Sequence, residues 1–205
     1  MRICLCSLVI TSLILLSCAG TKLTNTWKDA EYRGGALNKM LTIVVAEKEY
    51  IRKLVENEFV KQLKARGVDG ISSYTIVPSI QDIKKEAIEA AAKEQGADGI
   101  IVTRLVGKKQ LEAHIPAGTP SIVSVTSYGS DWFPFYSESY VYVRTIQPVT
   151  DKEAVSLDTN VYQTMNGKLV WSATSETVIE KKIRETTRSY VETILQHLAS
   201  DKVIR

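Results

Sequence analysis

Cysteine is the most reactive side chain here, and of the three cysteines one alone stands where its thiol could be used. Cys4 and Cys6 lie inside an uncharged apolar run from Ile3 to Leu16, whereas Cys18 falls just beyond its end. A compartment that permits disulfides would not help, because one thiol cannot close an internal bridge. Its available chemistry is therefore modification. The other reactive residues are scattered. His114 and His197 are the two histidines, and they lack the spacing of metal ligands. Asp98, Asp131 and Asp158 fall near expected strand ends or loops, where α/β active sites gather, but nothing in the sequence pairs them. Gly96 and Gly99 follow a helical pattern instead of opening one, so they read as a cap and a strand entry. No nucleophile elbow, phosphate loop or dinucleotide fingerprint is present. The residues thus assign no catalytic, metal or cofactor site, and the chain is expected not to be an enzyme.

The beginning of the chain explains Cys18. Met1 and Arg2 form a minimal positive start, followed by the uncharged run Ile3 to Leu16. That run is too short for a membrane-spanning helix, which needs about 20 residues, and it fits the roughly 7–15-residue core of a secretory signal. Its end, Leu15-Leu16-Ser17-Cys18, resembles the lipobox of bacterial lipoproteins, with Leu16 where a smaller residue is more common. The resemblance implies cleavage before Cys18 and diacylglycerol on its thiol, a covalent lipid in place of any cofactor. Ala19 follows the cysteine, where an aspartate would resemble an inner-membrane retention signal. The expected location is therefore the outer membrane, anchored by lipid and facing the periplasm. Residues 1–17 are expected as signal peptide, 18–38 as a polar tether, and 39–205 as one periplasmic domain. Trp27 is the exception in that tether, and it is expected to pack on the domain.

The formal charge of +3 loses one unit with Arg2, which leaves the chain close to neutral. That is no footprint for nucleic acid, which demands a clustered basic face. No small-molecule site is evident either. The basic doublets Lys84-Lys85, Lys108-Lys109 and Lys181-Lys182 are interleaved with glutamates and read as a solvated face, with contact to anionic lipid as the alternative. A hydrophobic fraction of 44% marks a globular chain.

Periodicity supplies the elements. Residues 40–46 (MLTIVVA) form a nearly continuous β-branched run, as expected of a strand buried on both faces. Over 48–66, Ile51, Leu54, Val55, Phe59 and Leu63 make one helical stripe ending at Gly67. Ser72 to Val77 predicts a short strand. Ser79 and Asp82 then predict a capping box for a helix over about 80–95, with Ile80, Ile83, Ala87, Ala90 and Ala91 inward. Gly99 to Val106 predicts a third apolar strand. Alternation follows in 139–146, 154–165 and 169–173, and Asn166-Gly167 signals a hairpin that would set Tyr162 opposite Trp171. A last helix over about 177–199, capped by Thr177 and Glu180, presents Ile183, Thr187, Tyr190, Ile194 and Leu198. The expected class is α/β with a mixed sheet: a β-α-β-α-β first half, then antiparallel strands with an Asn-Gly hairpin and a C-terminal helix.

This order is similar to a family of envelope proteins that includes the TolB amino-terminal domain, the curli-secretion lipoprotein and the lipoprotein activator of penicillin-binding proteins. The likeness is carried by Cys18, the strand 40–46, the segment Glu94 to Val102, and the hairpin from Asn160-Val161-Tyr162 to Gly167 through Ser172. Thr26-Trp27-Lys28-Asp29 also resembles the start of small lipoproteins of no assigned role. The resemblance implies fold and location, and fold does not confer function. The function class expected is a non-catalytic envelope protein with an interaction, assembly or regulatory role and an envelope protein partner. An oligomeric secretion pore is the alternative, with a periplasmic hydrolase behind it.

Pro116 to Tyr136 is a long connection for a compact domain, and it is rich in large apolar groups. Tyr128, Trp132, Phe133, Phe135 and Tyr136 are the candidate partner contacts, since Trp and Tyr dominate binding hot spots. The competing expectation is a lid that folds back over the sheet.

Overall fold

The computed structural model describes residues 20–79, 83–110, 131–137, 153–179 and 182–205. Six strands form one mixed sheet: β1 (Thr21–Lys28), β2 (Lys39–Val45), β3 (Asp69–Ser72), β4 (Gly99–Gln110), β5 (Glu153–Gln163) and β6 (Leu169–Val178). Their spatial order is β1-β6-β5-β4-β2-β3. β2 lies parallel to β3 and β4, and every pairing from β4 outward to β1 is antiparallel. The α/β class and the change from parallel to antiparallel pairing are as the sequence predicts.

Each face of the sheet carries its own core. On one, α1 (Glu49–Ala65) and α4 (Ile183–Ser200) pack Phe59, Leu63, Tyr190, Ile194 and Leu198 over Met40, Ile101 and Trp171. On the other, α2 (Lys85–Glu94) and a short helix α3, residues 132–137, cover Leu41, Ile43, Ile100, Val102 and Tyr162. Alternation in β2 and β4 serves both cores at once, which is why their sequences read as unbroken apolar runs. No described helix is long and apolar enough to cross a membrane.

Several expectations need correction. Residues 21–28, expected within a tether, are strand β1, hydrogen-bonded along β6 with a bulge between Leu23 and Asn25. The strand lies at an edge, and edge strands are kept polar to discourage further pairing. Lys22, Thr24, Asn25 and Thr26 do this here, and they also hide the strand in the sequence. Trp27 does not enter the core and stays 44% exposed. The strand expected at 72–77 is instead Asp69–Ser72 followed by a 3-10 turn, Ser73–Thr75.

Neither helix begins at its expected capping box, and Asp82 and Glu180 lie outside the described residues. α2 begins at Lys85 and α4 at Ile183, neither with a side-chain cap, and Thr177 belongs to β6. The inward face of α2 is Ile88 and Ala92, while Ala87 and Ala90 are exposed. The hairpin at Asn166-Gly167 is as predicted, with Gly167 at φ 69° and its N–H donated to Gln163 O. Its register is not. A bulge sets Tyr162 against Leu169 and Trp171 against Val161, so the two aromatics serve opposite cores. The strand expected at 139–146 lies outside the described residues.

Tyr190 ties α4 to the sheet by hydrogen bonds with Thr103 and Thr159. Complete burial pushes its hydroxyl pKa up to about 12. The fold holds that proton more tightly than the unfolded chain does. Stability from this group is thus full below pH 10 and is lost as pH rises towards about 12. Tyr190→Phe is expected to cost about 1 kcal/mol at neutral pH, and to flatten the alkaline limb of a melting-temperature series.

Candidate functional site

Helix α3 holds most of the aromatic residues picked out from the sequence. Asp131 precedes it and accepts the Phe133 N–H at 3.1 Å, which supplies the N-terminal cap. The same carboxylate pairs with Lys85, tying α3 to α2. Trp132, Phe135 and Tyr136 turn inward and are 1%, 2% and 3% exposed, whereas Phe133 is half-buried. Trp132 and Phe133 meet edge to face at 5.5 Å. Phe135 lies under the Arg104 guanidinium at 4.1 Å, a cation–π contact. Of the five candidate contacts, three therefore belong to the core in the single chain. Tyr128 lies outside the described residues, as do Leu15, Leu16, Ser17, Cys18 and His114.

Beneath α3 runs a buried polar ladder that the sequence reading missed. Arg104 on β4 pairs with Asp158 on β5 at 3.3 Å, and Thr174 on β6 donates to the same carboxylate at 2.7 Å. One step along, Ser172 donates to Asn160 Oδ1 at 2.6 Å, and Asn160 donates to the Tyr162 hydroxyl at 2.9 Å. Asp158, Asn160 and Tyr162 alternate along β5, and Ser172 and Thr174 face them from β6. That period of two was the available signal, and it marks one sheet face as polar although buried.

A second buried cluster joins α1 to the end of β2. Arg52 and Glu56 are both fully buried and lie 3.2 Å apart. Glu56 also accepts from Val44 N, Ser73 Oγ and Tyr74 N. Arg52 donates to Ser73 Oγ and to the carbonyls of Val77 and Pro78. Burial pushes the Glu56 carboxyl above its ordinary range, opposed by the Ser73 hydrogen bond and the Arg52 charge. Both residues lie on the stripe assigned to Ile51, Leu54 and Val55, which are only partly buried.

Asp98 and Asp131 border one cleft of about 770 Å³ between α2 and the Asn166-Gly167 turn. Asp98 is committed to the backbone, accepting from Asn38 N at 2.8 Å and Lys39 N at 2.9 Å. Asp158 lies in the ladder instead, so the three aspartates do not converge. His197 lies in the last turn of α4, where a partial positive charge is favourable. Among the described residues no group of three or more metal-ligating side chains is assembled. The buried charges Arg52, Glu56, Arg104 and Asp158 are paired, and among the described residues of the cleft no nucleophile stands beside a base.

No protein-family profile matches the chain. No curated protein matches it either. Among solved structures it is similar to the PelC dodecamer from Paraburkholderia phytofirmans, at 14% identity and a TM-score of 0.47, covering 90% of this chain and 99% of that one. It is also similar to lipoprotein GNA1162 from Neisseria meningitidis, at 11% identity and a TM-score of 0.39, over 78% and 96% of the two chains. A PDZ domain protein from Parabacteroides distasonis matches at 13% identity and a TM-score of 0.39, over 87% of this chain and 35% of that one.

Proposed function

We propose that the chain is a lipid-anchored envelope protein with a non-catalytic role, acting through protein contacts in assembly or regulation. The observation that carries this reading is Leu15-Leu16-Ser17-Cys18, which closes the apolar run and leaves one thiol in the rest of the chain. Acylation gives that thiol a purpose, and each buried methylene of the lipid contributes about 0.8 kcal/mol to anchorage. The non-catalytic half of the reading is supported by the buried ionisable groups, since Arg52, Glu56, Arg104 and Asp158 each end in a structural partner. The outer membrane, through Ala19, is the proposed address, and an envelope protein is the proposed partner.

Metabolic labelling with palmitate tests the anchor. The wild-type chain should incorporate label and partition with membranes. Cys18→Ser should incorporate none and accumulate as unprocessed precursor. Equal labelling of the two forms would overturn the proposal.

A further inference from the structure

Only Ala19 and Gly20 separate Cys18 from β1. A chain extends at most about 3.6 Å per residue, so Thr21 can lie no more than about 11 Å from the modified residue. The strand that begins there is fixed in the sheet. Gly20 O accepts from Val178 N at 2.8 Å, and Thr21 pairs with Thr177. Thr177 in turn pairs with Val155, and Val155 with Lys108. One particular end of the sheet is thus tied to the anchor, with no slack for the domain to turn over.

Among the described residues, that end carries apolar side chains that are only partly covered. Val178 is 38% exposed and Ile183, at the start of α4, is 37% exposed. Lys22, Lys182 and Arg184 are exposed around them. Glu185 is drawn to Lys182 at 2.9 Å, and the stretch 176–185 also holds Glu176, Glu180 and Lys181 in its sequence. Counted with Lys22, four cations against three carboxylates leave a small positive excess. Apolar residues rimmed by such groups suit the headgroup boundary of a bilayer, and so slight an excess makes apolar contact, not anionic lipid, the main attraction.

We propose that the end of the domain formed by Val178, Ile183 and the exposed cations around them rests on the bilayer surface that holds the Cys18 lipid. This rests on the anchoring reading above. The opposite end, with the Asn166-Gly167 turn and Met165 at 81% exposure, then points away from the membrane. Leu169 and Val178 mark the two ends of β6, and nine steps at about 3.4 Å put them about 30 Å apart. The cleft beside Asp98 and Asn166 lies at the outer end, available to whatever the anchored protein meets.

Because acylation would consume the Cys18 thiol, one added cysteine in the lipidated full-length protein takes a fluorophore at a single place. Ile183→Cys, Val178→Cys and Met165→Cys would each be labelled and reconstituted into phosphatidylcholine vesicles containing headgroup-spin-labelled lipid. Mass spectrometry of the N-terminal peptide establishes acylation independently. The expected result is quenching several-fold stronger at 183 and 178 than at 165, little changed by salt. Inserting about 20 Gly/Ser residues between Ala19 and Gly20, a flexible span of about 25 Å, should weaken this difference without abolishing it, because the apolar end still favours the surface. Equal quenching in that variant would overturn the contact. Acylated protein with equal quenching at all positions, or the strongest at 165, overturns the orientation and leaves the anchor standing. Protein with unmodified Cys18 overturns both.

Discussion

Arg52→Ala should cost the domain about 3–5 kcal/mol, because it leaves the Glu56 carboxylate buried without its counter-charge. For a domain of this size that corresponds to a fall of roughly 10 °C or more in melting temperature. The loss would not measure what the pair contributes, since most of it is the penalty of an orphaned charge. Arg52→Met with Glu56→Leu separates the two quantities. Replacing the buried pair with apolar side chains of similar volume should recover most of the stability that either single change loses. Some loss will persist even then, because Ser73 and the Val44 and Tyr74 N–H groups also lose their acceptor. A double variant as unstable as either single would show that these neutral hydrogen bonds outweigh the charge pairing.

The same cluster sets a pH dependence. Burial raises the Glu56 carboxyl above its ordinary value of 4.5. The folded chain therefore binds that proton more tightly than the unfolded chain. Its contribution is complete below pH 4.5 and is lost as pH rises through the raised value. Wild type should lose stability over that interval relative to the double variant, which carries neither charge. Parallel melting series across the acid range, with identical slopes for the two proteins, would remove Glu56 as the cause.

How far the sequence revealed these features depends on which period each one uses. β2 and β4 were legible because both faces are apolar, and the hairpin because Asn166-Gly167 has few other uses. The hairpin's register was not legible, since a bulge inserts one residue without a turn signal of its own. β1 escaped because the polarity that protects an edge strand is also the polarity of a tether. Ser79 and Thr177 are both able to cap, but α2 begins at Lys85 and Thr177 is held in β6, so neither marks a described helix start. Arg52 and Glu56 were hidden by an assumption about charge. A helical i, i+4 pair of opposite sign is usually a solvated one, and only its position over Ser73 and Val77 buries it. The aromatic segment announced itself by composition. Whether it covered the sheet or awaited a partner depended on α3 turning Trp132, Phe135 and Tyr136 to the same side, which spacing over so short a helix did not settle.

Those aromatics give the other large effect. Trp132→Ala and Phe135→Ala should each cost about 3–5 kcal/mol, the usual range for emptying a buried aromatic site. Phe135→Ala should act on Arg104 as well, since it removes the ring under the guanidinium and leaves Asp158 as its charged neighbour. Phe133→Ala should be mild, because that ring is half-buried and touches the core through Trp132 and Tyr136 at the edge of the cluster. Phe133 is also the aromatic side chain of α3 that a binding partner could reach without unfolding the helix. The separating experiment is a melting curve beside a co-purification from envelope extracts, run on each single variant. If the lid arrangement holds in solution, Trp132→Ala and Phe135→Ala lower the midpoint steeply while Phe133→Ala barely moves it. A partner bound through α3 would then be lost with Phe133→Ala at unchanged stability. Trp132→Ala at an unchanged midpoint would mean that α3 leaves the sheet in solution, and that its buried face is the contact surface after all.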